Sequence, residues 1–498
     1  MISRTLREAR EYEERMEVRI VSEDRPAFHL SPRTGWMNDP NGFSYYKGEY
    51  HLFYQYHPYD SFWGPMHWGH AVSKDLLHWK YLPAALAPDM PYDDGGCFSG
   101  SAVTLSDASQ MLLYTGVRKE PQEDGSFRDV QTQCIAVGDG RDYEKVLDNP
   151  VLTEKDLPKG GSRYDFRDPK AWLGEDGVYY CVAGNCTEDY DGQILLYSSA
   201  DGIHWKYESI LVKNNGRFGK MWECPDFFAL DGKQVILTSP VDMLPEGLEY
   251  HNGNGTLCLI GGFDWKTNTF SEERNQAVDY GIDFYAPQTL LTPDGRRVMI
   301  GWMQNWDTCN MRSRPKSWFG QMSLPRELSL RNGRLYQSPI REFAALRCSR
   351  AEYKDVPVNG PLRLEGVEGR LIDMELQIRP ARKEQMFQKF VVRLAQDEIH
   401  HTALSFHPRE SILEVNRKFS GSRRDMIHQR QSLVRHEEGK LKLRVILDRF
   451  SVEVFVNDGE QVMTAAIDTP RDAGGISFFA DGDILMDVVK YDINSSAE

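Results

Sequence analysis

The stretch Ser73-Lys74-Asp75-Leu76-Leu77-His78-Trp79-Lys80 returns, 126 residues on, as Ser199-Ala200-Asp201-Gly202-Ile203-His204-Trp205-Lys206. Five of the eight positions are identical, and Leu77/Ile203 exchanges like for like. A fainter copy is Gly140-Arg141-Asp142-Tyr143-Glu144-Lys145. Each copy stands between two strand-like segments, so the repeating unit is strand, turn, strand. A signature turn recurring at long spacing marks a radial β-repeat, and two blades of about 60 residues account for the interval. Around these turns, short apolar or aromatic runs lie at 50–56, 110–114, 178–183, 193–197, 235–238 and 297–302. They are separated by turn pairs such as Asp176-Gly177, Asp231-Gly232 and Asp294-Gly295. Many short strands without long helical patterns between them predict an all-β domain, here a β-propeller over 26–340.

The flanks read differently. Residues 1–25 open with a charged helix that mixes Glu and Arg on most faces. A short connector over 341–351 follows the propeller. Over 352–498 the segments lengthen and alternate. Leu441, Leu443, Val445 and Leu447 share one face of a strand, and Val452, Val454 and Val456 share a face of the next. Asn457-Asp458-Gly459-Glu460 then turns the chain into a strand over 461–467. This pattern predicts an antiparallel β-sandwich, and with no low-complexity linker it is expected to pack on the propeller.

A chain of 498 residues is too long for one ordinary core, in agreement with two domains. Lys and Arg number 59 against 74 Asp and Glu, a formal charge of −15. Without a dense basic block, such a chain repels phosphate backbones and anionic lipid, so neither nucleic acid nor membrane is an expected partner. No run of about 18 apolar residues is present to span a bilayer. The eight cysteines are scattered without a C-x-x-C pair, which fits a reducing compartment better than a zinc site or a disulfide framework. Residues 1–20 carry five Arg and five Glu and lack the apolar centre of an export signal. The cytoplasm is therefore the expected location. His67 and His70 are three apart with no third ligand in view, so neither metal nor cofactor is expected.

Three acidic turns carry the chemistry: Trp36-Met37-Asn38-Asp39-Pro40-Asn41-Gly42, Phe166-Arg167-Asp168-Pro169-Lys170 and Trp222-Glu223-Cys224-Pro225-Asp226. Any one alone is ordinary turn vocabulary. Together they suit carbohydrate cleavage, which needs one carboxylate at the anomeric carbon and one carboxylic acid to protonate the leaving oxygen. Aromatic side chains suit sugar faces, and amides and Arg suit hydroxyls. Gln55, Trp63, Phe98, Ser99 and Trp302 are nearby candidates.

In that order with Phe53-Tyr54-Gln55, Trp63-Gly64-Pro65-Met66-His67-Trp68-Gly69-His70, Phe98-Ser99-Gly100-Ser101 and Asp283-Phe284-Tyr285-Ala286-Pro287-Gln288, these motifs resemble glycoside hydrolase family 32, the β-fructofuranosidases. The likeness runs from about Phe28 to the C-terminal strands, where Ser451-Val452-Glu453-Val454-Phe455-Val456-Asn457-Asp458-Gly459 also matches. The resemblance implies a five-bladed propeller followed by a β-sandwich, and retaining cleavage of sucrose or sucrose 6-phosphate through a covalent fructosyl-enzyme. It also implies site roles. Asp39 matches the nucleophile, Glu223 the acid/base and Asp168 the residue that holds fructosyl hydroxyls. Asn38, Gln55, Trp63, Phe98, Ser99 and Arg167 match the fructose subsite, and Trp36 and Trp302 are expected to frame the pocket. The three carboxylates together should keep a proton on Glu223, with Arg167 holding Asp168 ionised.

Other expectations are plainer. Cys224 is expected to pack rather than tune, and 417–430 to be a solvated Arg-rich face. Lys220 or Arg312 could meet a substrate phosphate. Transfer to a sugar acceptor, fructan cleavage and a non-catalytic sugar-binding protein remain alternative readings, and the oligomeric state stays open.

Overall fold

The structure, a computed structural model, describes residues 2–309, 316–421 and 426–494. Among them, five sheets, each built on four antiparallel strands, follow one another along the chain as the blades of a propeller, and the first also takes the short parallel strand Trp318–Phe319 beside Gly35 and Trp36. Blade one runs through Gly35–Tyr46, Glu49–His57, His67–Ser73 and Trp79–Leu86, and blade two through Gly96–Thr104, Gln110–Pro121, Phe127–Gly138 and Tyr143–Lys145. Blade three holds Gly161–Leu173, Tyr179–Thr187, Gly192–Ser199 and Lys206–Lys213. Blade four holds Trp222–Leu230, Lys233–Pro240, Leu257–Asp264 and Thr269–Ala277, and blade five Tyr285–Leu291, Arg297–Trp302, Arg326–Arg331 and Arg334–Pro339. The first strand of each blade packs beside those of its neighbours round a common axis.

The repeated turn occupies one place in the architecture, the link between the third and fourth strands of blades one, two and three. Its chemistry explains the recurrence. Asp75 Oδ1 accepts the backbone N–H of Leu77 and His78, and its Oδ2 meets His78 Nδ1 at 2.6 Å. Asp201 does the same with Ile203 and His204, and Asp139 accepts from Arg141 and Asp142. One carboxylate satisfies the donors that a tight turn would otherwise leave unpaired.

The last strand of the chain, Gly475–Ile493, organises the sandwich. Its first half pairs with Lys389–Gln396 and its second half with Ile372–Pro380, so it belongs to both layers. Leu441, Leu443, Val445 and Leu447 do share one face, buried with Val452, Val454 and Val456 against Leu404, Phe406 and Val415. The opposite face of these strands is buried too. Ile446, Phe455 and Val462 join a propeller cluster that includes Phe28, Leu30, Leu290 and Phe343, and one layer thereby serves two cores.

Buried charges cross the same boundary. His29 lies 1% exposed between Asp448 Oδ2 at 2.7 Å and Glu453 Oε1 at 2.9 Å. Arg326 reaches Glu453 at 2.6 Å and Asp279 at 3.0 Å. Arg417 corrects the reading of 417–430 as a solvated face. Its side chain is 1% exposed and pairs with Asp283 at 2.6 Å, because an acid from the propeller comes up beneath the sandwich strand that carries it. The N-terminal helix Arg4–Glu17, capped by Ser3, buries Leu6 and Ala9 on blade one. Glu13 accepts the Ala84 N–H there and pairs with Arg33.

His29 makes the interface pH-sensitive. Burial alone would lower its pKa, but the hydrogen bonds and charges of Asp448 and Glu453 push it up to about 9. A histidine raised in the fold contributes stability that is complete below its unfolded value near 6.5 and lost as pH rises through about 9. The expected loss is on the order of 3 kcal/mol. Thermal melting at pH 6.5 and 9.5 should show a drop in midpoint that His29→Gln, less stable at the outset, lacks. Parallel drops in both proteins would contradict this.

Candidate active site

At the axis, the first strand of every blade breaks its ladder at the same level. The pairing skips Asn38-Asp39, Ser99, Asp168-Pro169, Cys224-Pro225 and Ala286-Pro287. Three of the five skipped segments contain a proline, which has no N–H to give the ladder, and in the first blade Pro40 follows the skip directly. In the second blade the place is taken by Gly100, where a Cβ would lie 2.0 Å from the Leu113 carbonyl oxygen. Asp168, Cys224 and Ala286 have φ of +63°, +49° and +49°. Such backbone costs roughly 1–3 kcal/mol per residue and re-aims the preceding side chains toward the axis.

The result is a cavity of about 390 Å³ with Asp39, Asp168 and Glu223 in its wall. Asp39 Oδ2 accepts from Ser99 Oγ at 2.8 Å and lies 3.5 Å from Cys224 Sγ. Its Oδ1 is buried and accepts no well-formed hydrogen bond. Asp168 Oδ2 accepts the Cys224 N–H at 2.9 Å and meets the same thiol at 3.5 Å. Cys224 is thus more than packing, because its backbone turn points both its N–H and its thiol at the carboxylates.

Glu223 is gripped at both oxygens. Arg167 Nη2 and Nε donate to Oε1 at 2.9 and 3.1 Å, and the Tyr285 hydroxyl donates to Oε2 at 2.5 Å. Arg167 stands 4.0 Å from Asp168, so its charge serves Glu223 first and Asp168 second, contrary to the sequence expectation. Gln131 and Asp165 hold its far side, each at 3.2 Å. Burial, then the charge of Glu223, pushes Asp39 up to about 6. Burial also raises Asp168, against the pull of Arg167 and with the push of Glu223 and Asp39.

Asn38, Gln55, Trp63, Phe98, Ser99 and Arg167 line the same cavity. Gln55 is fixed by donating to the Cys97 carbonyl, and the Trp63 and Phe98 rings meet edge to face at 6.1 Å. Trp36 and Trp302 do not line it. Both are fully buried behind the wall, where Trp36 Nε1 donates to Asn38 Oδ1 at 2.7 Å. The rim position belongs to Trp306, packed on Trp302 at 4.8 Å. The sequence reading also missed Arg128, Asp129 and Gln131, which arrive on the blade-two hairpin, and Tyr164, Asp165 and Tyr190. Tyr285 lay inside a quoted motif without a role. Lys220 sits in an adjoining chamber, paired with Asp242 at 3.0 Å, and Arg312 lies outside the described residues. His67 and His70 are buried, His67 Nδ1 near the Pro65 carbonyl and His70 Nε2 near His51 Nδ1.

Comparison with known proteins gives one answer. Residues 29–339 match the Glycosyl hydrolases family 32 N-terminal domain, and residues 342–495 match the Glycosyl hydrolases family 32 C terminal. A raffinose invertase of Escherichia coli is 37% identical, with 93% of each chain covered. A sucrose-6-phosphate hydrolase of Escherichia coli is 36% identical over 91% of each. A mutant Bombyx mori β-fructofuranosidase of the same family, solved in complex with sucrose, superposes with a TM-score of 0.83 at 34% identity, covering 99% of each chain.

Proposed function

The chain belongs to glycosyl hydrolase family 32 and is a β-fructofuranosidase, and we propose that it cleaves sucrose or a close relative with Asp39 as nucleophile and Glu223 as acid/base. One observation carries the assignment. Asp39 presents a buried oxygen without a well-formed hydrogen bond to the cavity in whose wall Glu223 stands with both its oxygens held. An unpaired buried carboxylate oxygen is costly, and attack on an anomeric carbon is the use that justifies it.

The reaction follows from these contacts. Ser99 and Cys224 fix one oxygen of Asp39, leaving Oδ1 to attack C2 of the fructosyl unit. Asp168, anchored through one oxygen by Cys224, offers the other to fructosyl hydroxyls as positive charge develops on the ring. In the acid form the proton sits on Oε2, with the Tyr285 hydroxyl rotated off it; Glu223 gives that proton to the departing oxygen, and the carboxylate so formed is held by Arg167 on Oε1 and by the Tyr285 hydroxyl on Oε2. Held there, it serves as the base that activates water against the fructosyl-enzyme. Asp39 attacks C2 from the face opposite the departing sugar and water attacks from the face opposite Asp39, so two inversions retain the configuration.

The test is release of glucose and free fructose from sucrose in equal initial amounts, with Asp39→Asn as the blank. Failure on sucrose, sucrose 6-phosphate and short fructans alike would leave a sugar-binding protein. Because Asp39 must be ionised and its pKa stands near 6, kcat/KM on sucrose should fall about tenfold per pH unit below that value. A profile flat down to pH 4 would remove Asp39 as the titrating nucleophile. A cytoplasmic location is supported by the scattered cysteines, seven of the eight buried as small apolar side chains, as suits a reducing compartment.

A further inference from the structure

Glu223 stands at the junction of two chambers. The first holds Asp39 and Asp168; the second, of about 480 Å³, continues past Glu223 between Tyr190, Trp306, Lys220, Asp242 and Asn254. The fructosyl unit must sit with Asp39 and Asp168, and the oxygen it leaves must meet Glu223. The sugar released therefore has the second chamber open to it. Tyr190, 52% exposed, and Trp306 offer it aromatic faces.

The cations here are already engaged. Lys220 Nζ lies 3.0 Å from Asp242 Oδ2, and Arg167 is shared between Glu223 and Asp165. Arg128, on the opposite rim, lies flat on the Tyr164 ring with its guanidinium carbon 3.4 Å from the centroid. Six acids face the two chambers against these three bases among the described residues. A neutral hexose finds in the Lys220–Asp242 pair a donor and an acceptor set side by side, the arrangement that vicinal hydroxyls match. A phosphate dianion could draw Lys220 only by lying within a few ångströms of Asp242.

Resting on the fructosidase reading above, we propose that the second chamber selects an uncharged sugar as leaving group, and that Asp242, by holding Lys220, sets this preference against sucrose 6-phosphate. Both side chains are 58% exposed, so the repulsion is screened and worth roughly tenfold rather than an absolute block. Asp242 pairs with Lys220 and, among the described residues, with none of Asp39, Asp168 and Glu223, which makes it a specificity residue.

The experiment compares kcat/KM for sucrose and sucrose 6-phosphate in the wild type, Asp242→Asn and Lys220→Ala. The wild type should favour sucrose by tenfold or more. Asp242→Asn, at an exposed site that should not disturb folding, should narrow that ratio at least threefold, mainly through KM for the phosphorylated substrate. Equal or reversed preference in the wild type would overturn the proposal, and more so if Lys220→Ala lost sucrose 6-phosphate alone. An unchanged ratio in Asp242→Asn would overturn the role of that residue. Failure of the wild type on both substrates would instead defeat the fructosidase reading on which the proposal rests.

Discussion

Asp39→Asn should lower kcat on sucrose by about 10⁴-fold or more while raising the melting temperature of the protein. The first half follows from chemistry, because an amide cannot form the fructosyl ester. The second follows from burial. Asp39 is 8% exposed, and burial together with Glu223 holds its pKa near 6, above the ordinary carboxylate value. Raised in the fold, the group favours folding only when protonated. Its ionised form costs stability that grows from the unfolded value near 4 to about pH 6 and is constant above. An isosteric neutral side chain removes a penalty on the order of 1–3 kcal/mol at pH 7 and nothing at pH 3.5. Melting both proteins at the two pH values is decisive. A stabilisation confined to neutral pH supports the account, whereas a destabilised variant would mean that the Ser99 contact outweighs the buried charge.

The blades were legible because their signals are local. An Asp that caps its own turn needs only neighbours two and three residues away, so its sequence survives from blade to blade. The acids of the cavity were legible for a related reason. A bulge before a proline needs its residues in consecutive positions, and Asp39-Pro40 and Asp168-Pro169 state it outright. Contacts that depend on distant chain were not legible. Arg417 reads as a solvated arginine until Asp283, 134 residues away, is placed beneath it. Arg128 and Gln131 reach the cavity because the hairpin of Gln110–Pro121 and Phe127–Gly138 is long, and nothing in their own sequence says where it points. Trp302 and Trp306 were exchanged through a finer error. Trp302 is the last residue of a strand and faces inward, while Trp306, four residues on, has left the strand and reached the rim.

Glu223→Ala should separate the two halves of the mechanism. On sucrose, whose leaving group is a poorly acidic sugar hydroxyl, departure needs the proton of Glu223, and kcat/KM should fall about 10²–10⁴-fold. On a fructoside with an acidic phenol as leaving group, departure needs no proton, and the fall should be small for the first step. The second step still lacks its base, so the fructosyl ester on Asp39 should accumulate, visible as a burst of phenol followed by slow turnover. The same substitution strands Arg167, whose guanidinium loses the carboxylate at 2.9 Å and keeps Asp165 at 3.2 Å and Asp168 at 4.0 Å. Its charge then falls more heavily on Asp168, which favours the ionised form that the sugar needs and keeps the pocket able to bind. On sucrose, KM should therefore change less than kcat, whereas on the phenolic substrate the two should fall together as the ester accumulates. Equal losses on both substrates with no burst would remove Glu223 from proton transfer and leave it a structural partner of Arg167.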